Sequence, residues 1–171
     1  MIRGSRRKKR AMLLGTTLLV LAAASAVNVI PSAAGDPPPP IQAEPLTPRS
    51  VFPNEVDMKI KLKMHGGTMV VHVDDPSRTV SVKYTVQPGA QFPWHSHRGP
   101  VVVNLMSGTL TYIPAGTCDE QVYSGGQSFI DPGHGHVHTA RNGGTEPTVF
   151  IATFFEAPAE GPLLIPADPA C

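Results

Sequence analysis

From about residue 50 onward, apolar residues recur with a period of two, and the runs that carry them are short. In the stretch 79–86, Val80, Val82, Tyr84 and Val86 alternate with Thr79, Ser81, Lys83 and Thr85, as in a strand with one buried face. Further β-rich runs predict strands at 68–73, 101–106, 109–113, 121–123, 128–130, 136–140 and 148–155. Between them stand Asp74-Asp75-Pro76, Gln87-Pro88-Gly89, Ser107-Gly108, Gly125-Gly126, Asp131-Pro132-Gly133 and Asn142-Gly143-Gly144, turn sequences spaced for antiparallel pairing. No segment in this region carries a helical stripe. The pattern predicts an all-β domain, either a sandwich or a closed barrel built from two sheets.

The first fifty residues follow a different pattern. Residues 1–10 hold six basic residues and no acid, and 11–26 form an apolar run that ends in small residues, the order of a secretory signal. Ala26 and Ala34 both suit the end of such a signal, while the apolar run through Val27, Val29 and Ile30 also approaches the ~20 residues of a membrane anchor. Residues 1–34 are therefore read as a signal peptide or an N-terminal anchor, and either places the remainder in the cell envelope or outside the cell. Four prolines, Pro37 to Pro40, then open a segment whose composition favours extended polyproline II. Residues 35–50 are read as a proline-rich linker and 51–171 as one domain, large enough for a single core.

Charge narrows the choice of partner. The chain has fourteen Lys+Arg and thirteen Asp+Glu, but the six basic residues of the leader leave eight on the exported part, about −5 in net charge. Such a surface lacks the basic patch that would hold a phosphate backbone, so nucleic acid is not an expected partner. The membrane is expected to be touched only through the N-terminal segment, if that stays uncleaved. The two cysteines, Cys118 and Cys171, suggest one disulfide in an oxidising compartment, and two free thiols joining a metal's ligand set are the alternative.

The histidines carry the chemistry. Five of seven fall in two clusters, His95 and His97 in the first and His134, His136 and His138 in the second. On an extended strand, residues i and i+2 share a face, so His95 and His97 can aim at one point, to which a second cluster can bring a third imidazole. Neutral imidazole is a good ligand for Fe, Zn, Cu, Ni or Mn.

The two clusters lie in motifs that resemble those of the cupin family. The spacing G-x5-H-x-H-x3-E-x6-G is met by Gly89, His95, His97 and Gly108, with Val101 at the acidic position. The spacing G-x5-P-x-G-x2-H-x3-N is met by Gly126, Pro132, Gly135, His138 and Asn142, with one extra residue between Pro132 and Gly135. The resemblance spans residues 89–142 and implies a jelly-roll barrel (double-stranded β-helix) with His95, His97 and His138 as ligands of one divalent transition metal. Cupins commonly place a Glu where this chain has Val101, and valine cannot coordinate. Three readings follow: a three-histidine site with open positions, similar to the thiol dioxygenase branch; a site in which His136, two residues before His138 and so on the same strand face, replaces the Glu; or a barrel without metal whose histidines line a pocket.

Around these motifs, Tyr112 has the parity to face inward, Asn142 can orient the loop after His138, and Phe92 and Trp94 can shape the pocket or serve as core. Arg98 can attract a carboxylate at the rim or stay solvated. His134 falls in a turn, and His65 and His72 lie outside both motifs. The nearest acids, Asp119, Glu120 and Asp131, fall in predicted loops, so no general acid or base is evident. The resemblance implies a small-molecule substrate or ligand, and cupins often pair as homodimers. Two functions fit: an oxygenase-like enzyme, or a non-catalytic module that binds a metal or small ligand.

Overall fold

The structure is a computed structural model and describes residues 40–64, 67–74 and 78–171. The signal or anchor expected over 1–34, and His65, lie outside the described residues. Thirteen strands and no helix occur among those described. They are β1 (Ile41–Pro45), β2 (Ser50–Val51), β3 (Asp57–Met64), β4 (Gly67–Asp74), β5 (Arg78–Val86), β6 (His95–Ser96), β7 (Val101–Ser107), β8 (Thr109–Pro114), β9 (Gln121–Ser124), β10 (Ser128–Asp131), β11 (His138–Arg141), β12 (Thr148–Phe154) and β13 (Ile165–Pro166).

Two sheets form the body. The first runs β1-β5-β12-β7-β10, with β2 also on β5, and the second runs β13-β6-β11-β8-β9, all pairs being antiparallel. This is the expected all-β jelly-roll. Strands β3 and β4 pair separately as a hairpin.

Alternation along the strands dictates the core. In β5 the inward residues Val80, Val82, Tyr84 and Val86 are buried, and on the same face of the sheet Phe150, Ala152 and Phe154 of β12 and Val101, Val103 and Leu105 of β7 continue one cluster. Tyr84 stacks on Phe150 with ring centroids 5.2 Å apart, and Phe92 meets Tyr84 edge-on at 5.6 Å, both favourable aromatic arrangements.

The linker expectation does not hold for Ile41–Pro45. This stretch adds to the edge of the first sheet, Ile41 opposite Val86 and Pro45 opposite Val82. Its composition hides the strand: four of five residues are exposed, so β5 supplies the pairing while little apolar burial marks the sequence. An edge strand tolerates Pro45, whose missing N–H costs nothing on the unpaired side.

One close approach sets the spacing of the two motifs. The 132–136 turn is pressed onto residues 97–100, His134 N–H donating to the Arg98 carbonyl at 3.1 Å. Gly133 sits there at φ 66°, and a Cβ added to it would fall 2.0 Å from the Gly99 carbonyl oxygen. Gly133→Ala is therefore expected to destabilise by about 2–3 kcal/mol, through left-handed strain and backbone overlap together. The shift in urea midpoint measures it, and a midpoint within error of wild type would show that the turn relaxes without loss.

Candidate metal centre

Two pieces of backbone place the three motif histidines. His95 opens β6 and pairs with His138, the first residue of β11, while His97 follows β6. The ring centroids of His95 and His138 lie 4.3 Å apart, those of His95 and His97 4.8 Å, and those of His97 and His138 5.1 Å. All three side chains are buried, and one ligand atom from each lies within 4.8 Å of the others, a grouping that can hold a metal ion.

The outer nitrogens are anchored. His95 Nδ1–H donates to the Pro93 carbonyl at 2.7 Å, His97 Nδ1–H to the Leu163 carbonyl at 2.9 Å, and His138 Nδ1–H to the His136 carbonyl at 3.2 Å. A carbonyl only accepts, so each neutral ring carries its proton on Nδ1 and keeps its lone pair on Nε2. Burial favours the neutral form: it lowers the His95 and His138 pKa values to about 4, against the opposing pull of Pro93 on the first and Asp131 on the second. His97 is lowered as well, again by burial.

The rings line a cavity of about 50 Å³ whose remaining wall is mainly apolar, including Phe92, Val101, Leu110, Phe150 and Phe154. Tyr112 faces inward as its parity predicts, and its O–H donates to Asp131 Oδ2 at 2.6 Å. Asn142 holds the loop after β11: its Nδ2 donates to the carbonyls of Val86 and Glu146, and its Oδ1 accepts from Gly144 N–H. Phe92 is buried in the core, whereas Trp94 is only half-buried and does not line this cavity. His72 and Arg98 are exposed, and His134 turns outward to Glu156 at 2.9 Å.

His136 is not in the group formed by His95, His97 and His138. It precedes β11 in the turn, so the strand parity that would place it on the face of His138 does not apply. It belongs instead to a second group with Asp131 and His138, its Nδ1 donating to Asp131 Oδ2 at 3.2 Å.

Asp131 corrects the sequence reading, which assigned it to a loop. It is the last residue of β10, only 1% exposed, with Oδ2 lying 3.1 Å from His138 Nδ1 and Oδ1 accepting from Gly133 N–H at 2.9 Å. Burial alone would raise its pKa, but His136, His138, Tyr112 and His97 outweigh that and hold it at about 2. The overlooked signal was period two: Asp131 stands two residues after Phe129, and both line the cavity.

The match to a known family covers the same strands. Residues 82–154 match the profile of the cupin domain. Residues 82–154 form a cupin domain. Solved structures resemble the chain in part. RemF, a polyketide cyclase from Streptomyces resistomycificus, is 19% identical over 53% of this chain and 61% of its own, with a TM-score of 0.45. The Cupin_2 domain of an XRE family transcriptional regulator from Enterobacter cloacae is 16% identical over 70% of this chain and 99% of its own, with a TM-score of 0.47. Oxalate decarboxylase from Bacillus subtilis, with Mn(II) centres, is 28% identical over 44% of this chain and 21% of its own, with a TM-score of 0.40. No curated protein matches the chain.

Within this cupin domain, Val101 stands at the acidic position of the first motif; it is 2% exposed and part of the apolar wall. The disulfide joins Cys118 to Cys171 across 53 residues. It ties down the segment that carries β13, Leu163 and Leu164, so the C-terminal strap packs against the histidines. A disulfide of this kind points to an oxidising compartment.

Proposed function

We propose that the protein is an exported cupin that holds one divalent transition metal (Fe, Zn, Cu, Ni or Mn) through His95, His97 and His138 and presents it to a small molecule. The supporting observation is the shared tautomer: three buried neutral rings, each with Nδ1–H committed to a backbone carbonyl, each keep a free Nε2 lone pair. Three histidine ligands leave coordination positions open, and a metal there supplies Lewis-acid or oxygen-activating chemistry. The chain itself supplies a dry wall. A cavity of about 50 Å³ has room for a few water-sized groups, which suits the reacting end of a small molecule.

An oxygenase-like conversion fits this site best, because it asks little of side-chain acids and bases. The second reading, a non-catalytic module for a small ligand or metal, is favoured by one observation. Both oxygens of Asp131 are already engaged, so the one carboxylate lining the cavity is not free to act as a general base. In this proposal residues 1–34 are the export signal or anchor, the few residues before β1 link it to the domain, and a homodimer is the expected assembly.

Elemental analysis of protein purified without tag or chelator tests the centre. About one equivalent of a single transition metal is expected, and the His95→Ala/His97→Ala variant is expected to retain less than a tenth of it. Equal metal in both proteins, or none in wild type after anaerobic loading with each candidate ion, would sink the three-histidine reading. Oxygen uptake by the iron-loaded protein with thiols, diketones and phenols then separates the two functions. No uptake with any of them would favour the binding module.

A further inference from the structure

We propose that Asp131 is the positioning residue of the three-histidine centre, supplying across the β7–β10 ladder the negative charge that Val101 withholds, and acting on the metal through His138. The inference rests on the reading of His95, His97 and His138 as ligands.

Register carries the first part. Asp131 is paired directly with Val101, and residues opposite each other on antiparallel strands project to the same face. The cavity that Val101 borders therefore receives a carboxylate from the neighbouring strand at the same level. Valine leaves room where a longer acid would crowd a second carboxylate.

Contacts fix how that carboxylate acts. Its Oδ2 lies 3.1 Å from His138 Nδ1, on the far side of the ring from the Nε2 lone pair. A negative charge at that place favours the Nδ1–H tautomer and makes Nε2 a stronger donor to a cation. Tyr112 O–H and His136 Nδ1–H reach the same oxygen at 2.6 and 3.2 Å, and Gly133 N–H reaches Oδ1 at 2.9 Å, so the group is held in one orientation.

Charge balance points the same way. Among the described residues, no Lys or Arg forms an ion pair with Asp131, and its charged-type partners are His136 and His138. Asp131 therefore brings a negative charge to three neutral imidazoles, and a divalent ion held by them would be its counter-charge.

The test uses the disulfide-bonded protein and Co(II) or Zn(II), with affinity read by chelator competition and geometry by the visible spectrum of the Co(II) form. Asp131→Asn keeps an oxygen for Gly133 N–H, removes the charge and puts an NH2 donor in place of the Oδ2 acceptor. It is expected to weaken metal binding 10–100-fold, the range for removing such a partner, and to shift the Co(II) bands. Tyr112→Phe removes a donor that draws charge away from Oδ2, so it is expected to bind metal as tightly as wild type or a few-fold more tightly. Opposite effects of the two variants support the proposal. Unchanged affinity in Asp131→Asn would overturn it, as would equal weakening in both variants, the mark of a purely structural role. Should Asp131→Asn fail to fold, weaker binding by Tyr112→Phe alone overturns it. Wild-type protein that binds no more metal than His95→Ala/His97→Ala would instead bring down the ligand assignment itself.

Discussion

Replacing Cys118 and Cys171 with serine is expected to lower stability by about 4 kcal/mol, roughly 10–20 °C in melting temperature for a domain of this size. The bridge closes a separation of 53 residues, and in the chain-entropy treatment the cost of leaving a loop of that length open grows with its logarithm. The effect extends beyond stability. The strap between Ala157 and Cys171 is anchored at its start by Ala157 N–H on the Arg78 carbonyl and by Arg49 donating to the Pro158 and Gly161 carbonyls; nearer the bridge β13 pairs with β6 through two residues, Ala167 N–H donates to the Trp94 carbonyl, and the Leu163 carbonyl accepts from His97. Freed at its end, that segment opens more often, and each opening removes the acceptor that fixes the His97 tautomer. The serine variant is therefore expected to bind Zn(II) roughly tenfold more weakly, and wild type treated with reductant is expected to behave the same way. Thermal melts with and without reductant, beside a chelator titration, measure both effects. If the variant lost stability but kept wild-type affinity, the strap would be held by its own packing and not by the bridge.

How far the sequence disclosed this arrangement depends on where each contact originates. The inward side of β5 was readable because four apolar residues alternate with polar ones and all four are buried. Strand β3 carries the same signal, Met58, Ile60 and Leu62 alternating with Lys59, Lys61 and Lys63, yet it lies outside the expected strands. Strands β6 and β13 hold two residues each, too few for any period, and exist because each pairs with a partner distant in sequence. The grouping of His95, His97 and His138 followed from motif spacing, since two residues on one extended segment and a third in a later motif meet wherever a barrel closes. Asp131 was obscured by its neighbours: Asp-Pro-Gly reads as a turn, and the turn does begin there, but one residue later than the strand ends. His136 shows the converse, where a two-residue spacing was read as shared strand parity across a stretch that is a turn. Local chemistry thus gave the ligands, and only the register of β7 on β10 gave the acid that faces them.

The metal-free protein is expected to lose stability steeply between pH 6.5 and 4, and bound metal is expected to protect it. Folded His95 and His138 titrate at about 4, against 6.5 for an unperturbed imidazole, because burial disfavours the charged ring. As pH falls from 7, the unfolded chain takes up protons first, so stability declines through this window and the decline from these two groups ends near pH 4, where the folded rings also protonate. A shift of that size amounts to up to roughly 3 kcal/mol for each ring, large beside the total stability of a typical domain. Asp131 acts lower on the scale: held at about 2 against 3.8, it contributes fully above pH 3.8, and its contribution is lost as pH falls towards 2. The two effects are therefore separable along the pH axis. Urea midpoints of chelator-treated protein between pH 7 and 4.5 measure the first, and His95→Ala/His97→Ala is expected to show a shallower slope because it lacks two of the three rings whose pKa burial lowers. Saturating Zn(II) is expected to raise the wild-type midpoint throughout by mass action and to do nothing for the double variant. A flat wild-type profile over this range would mean that the rings are hydrated in the metal-free state, and the dry neutral site on which the metal assignment rests would go with it.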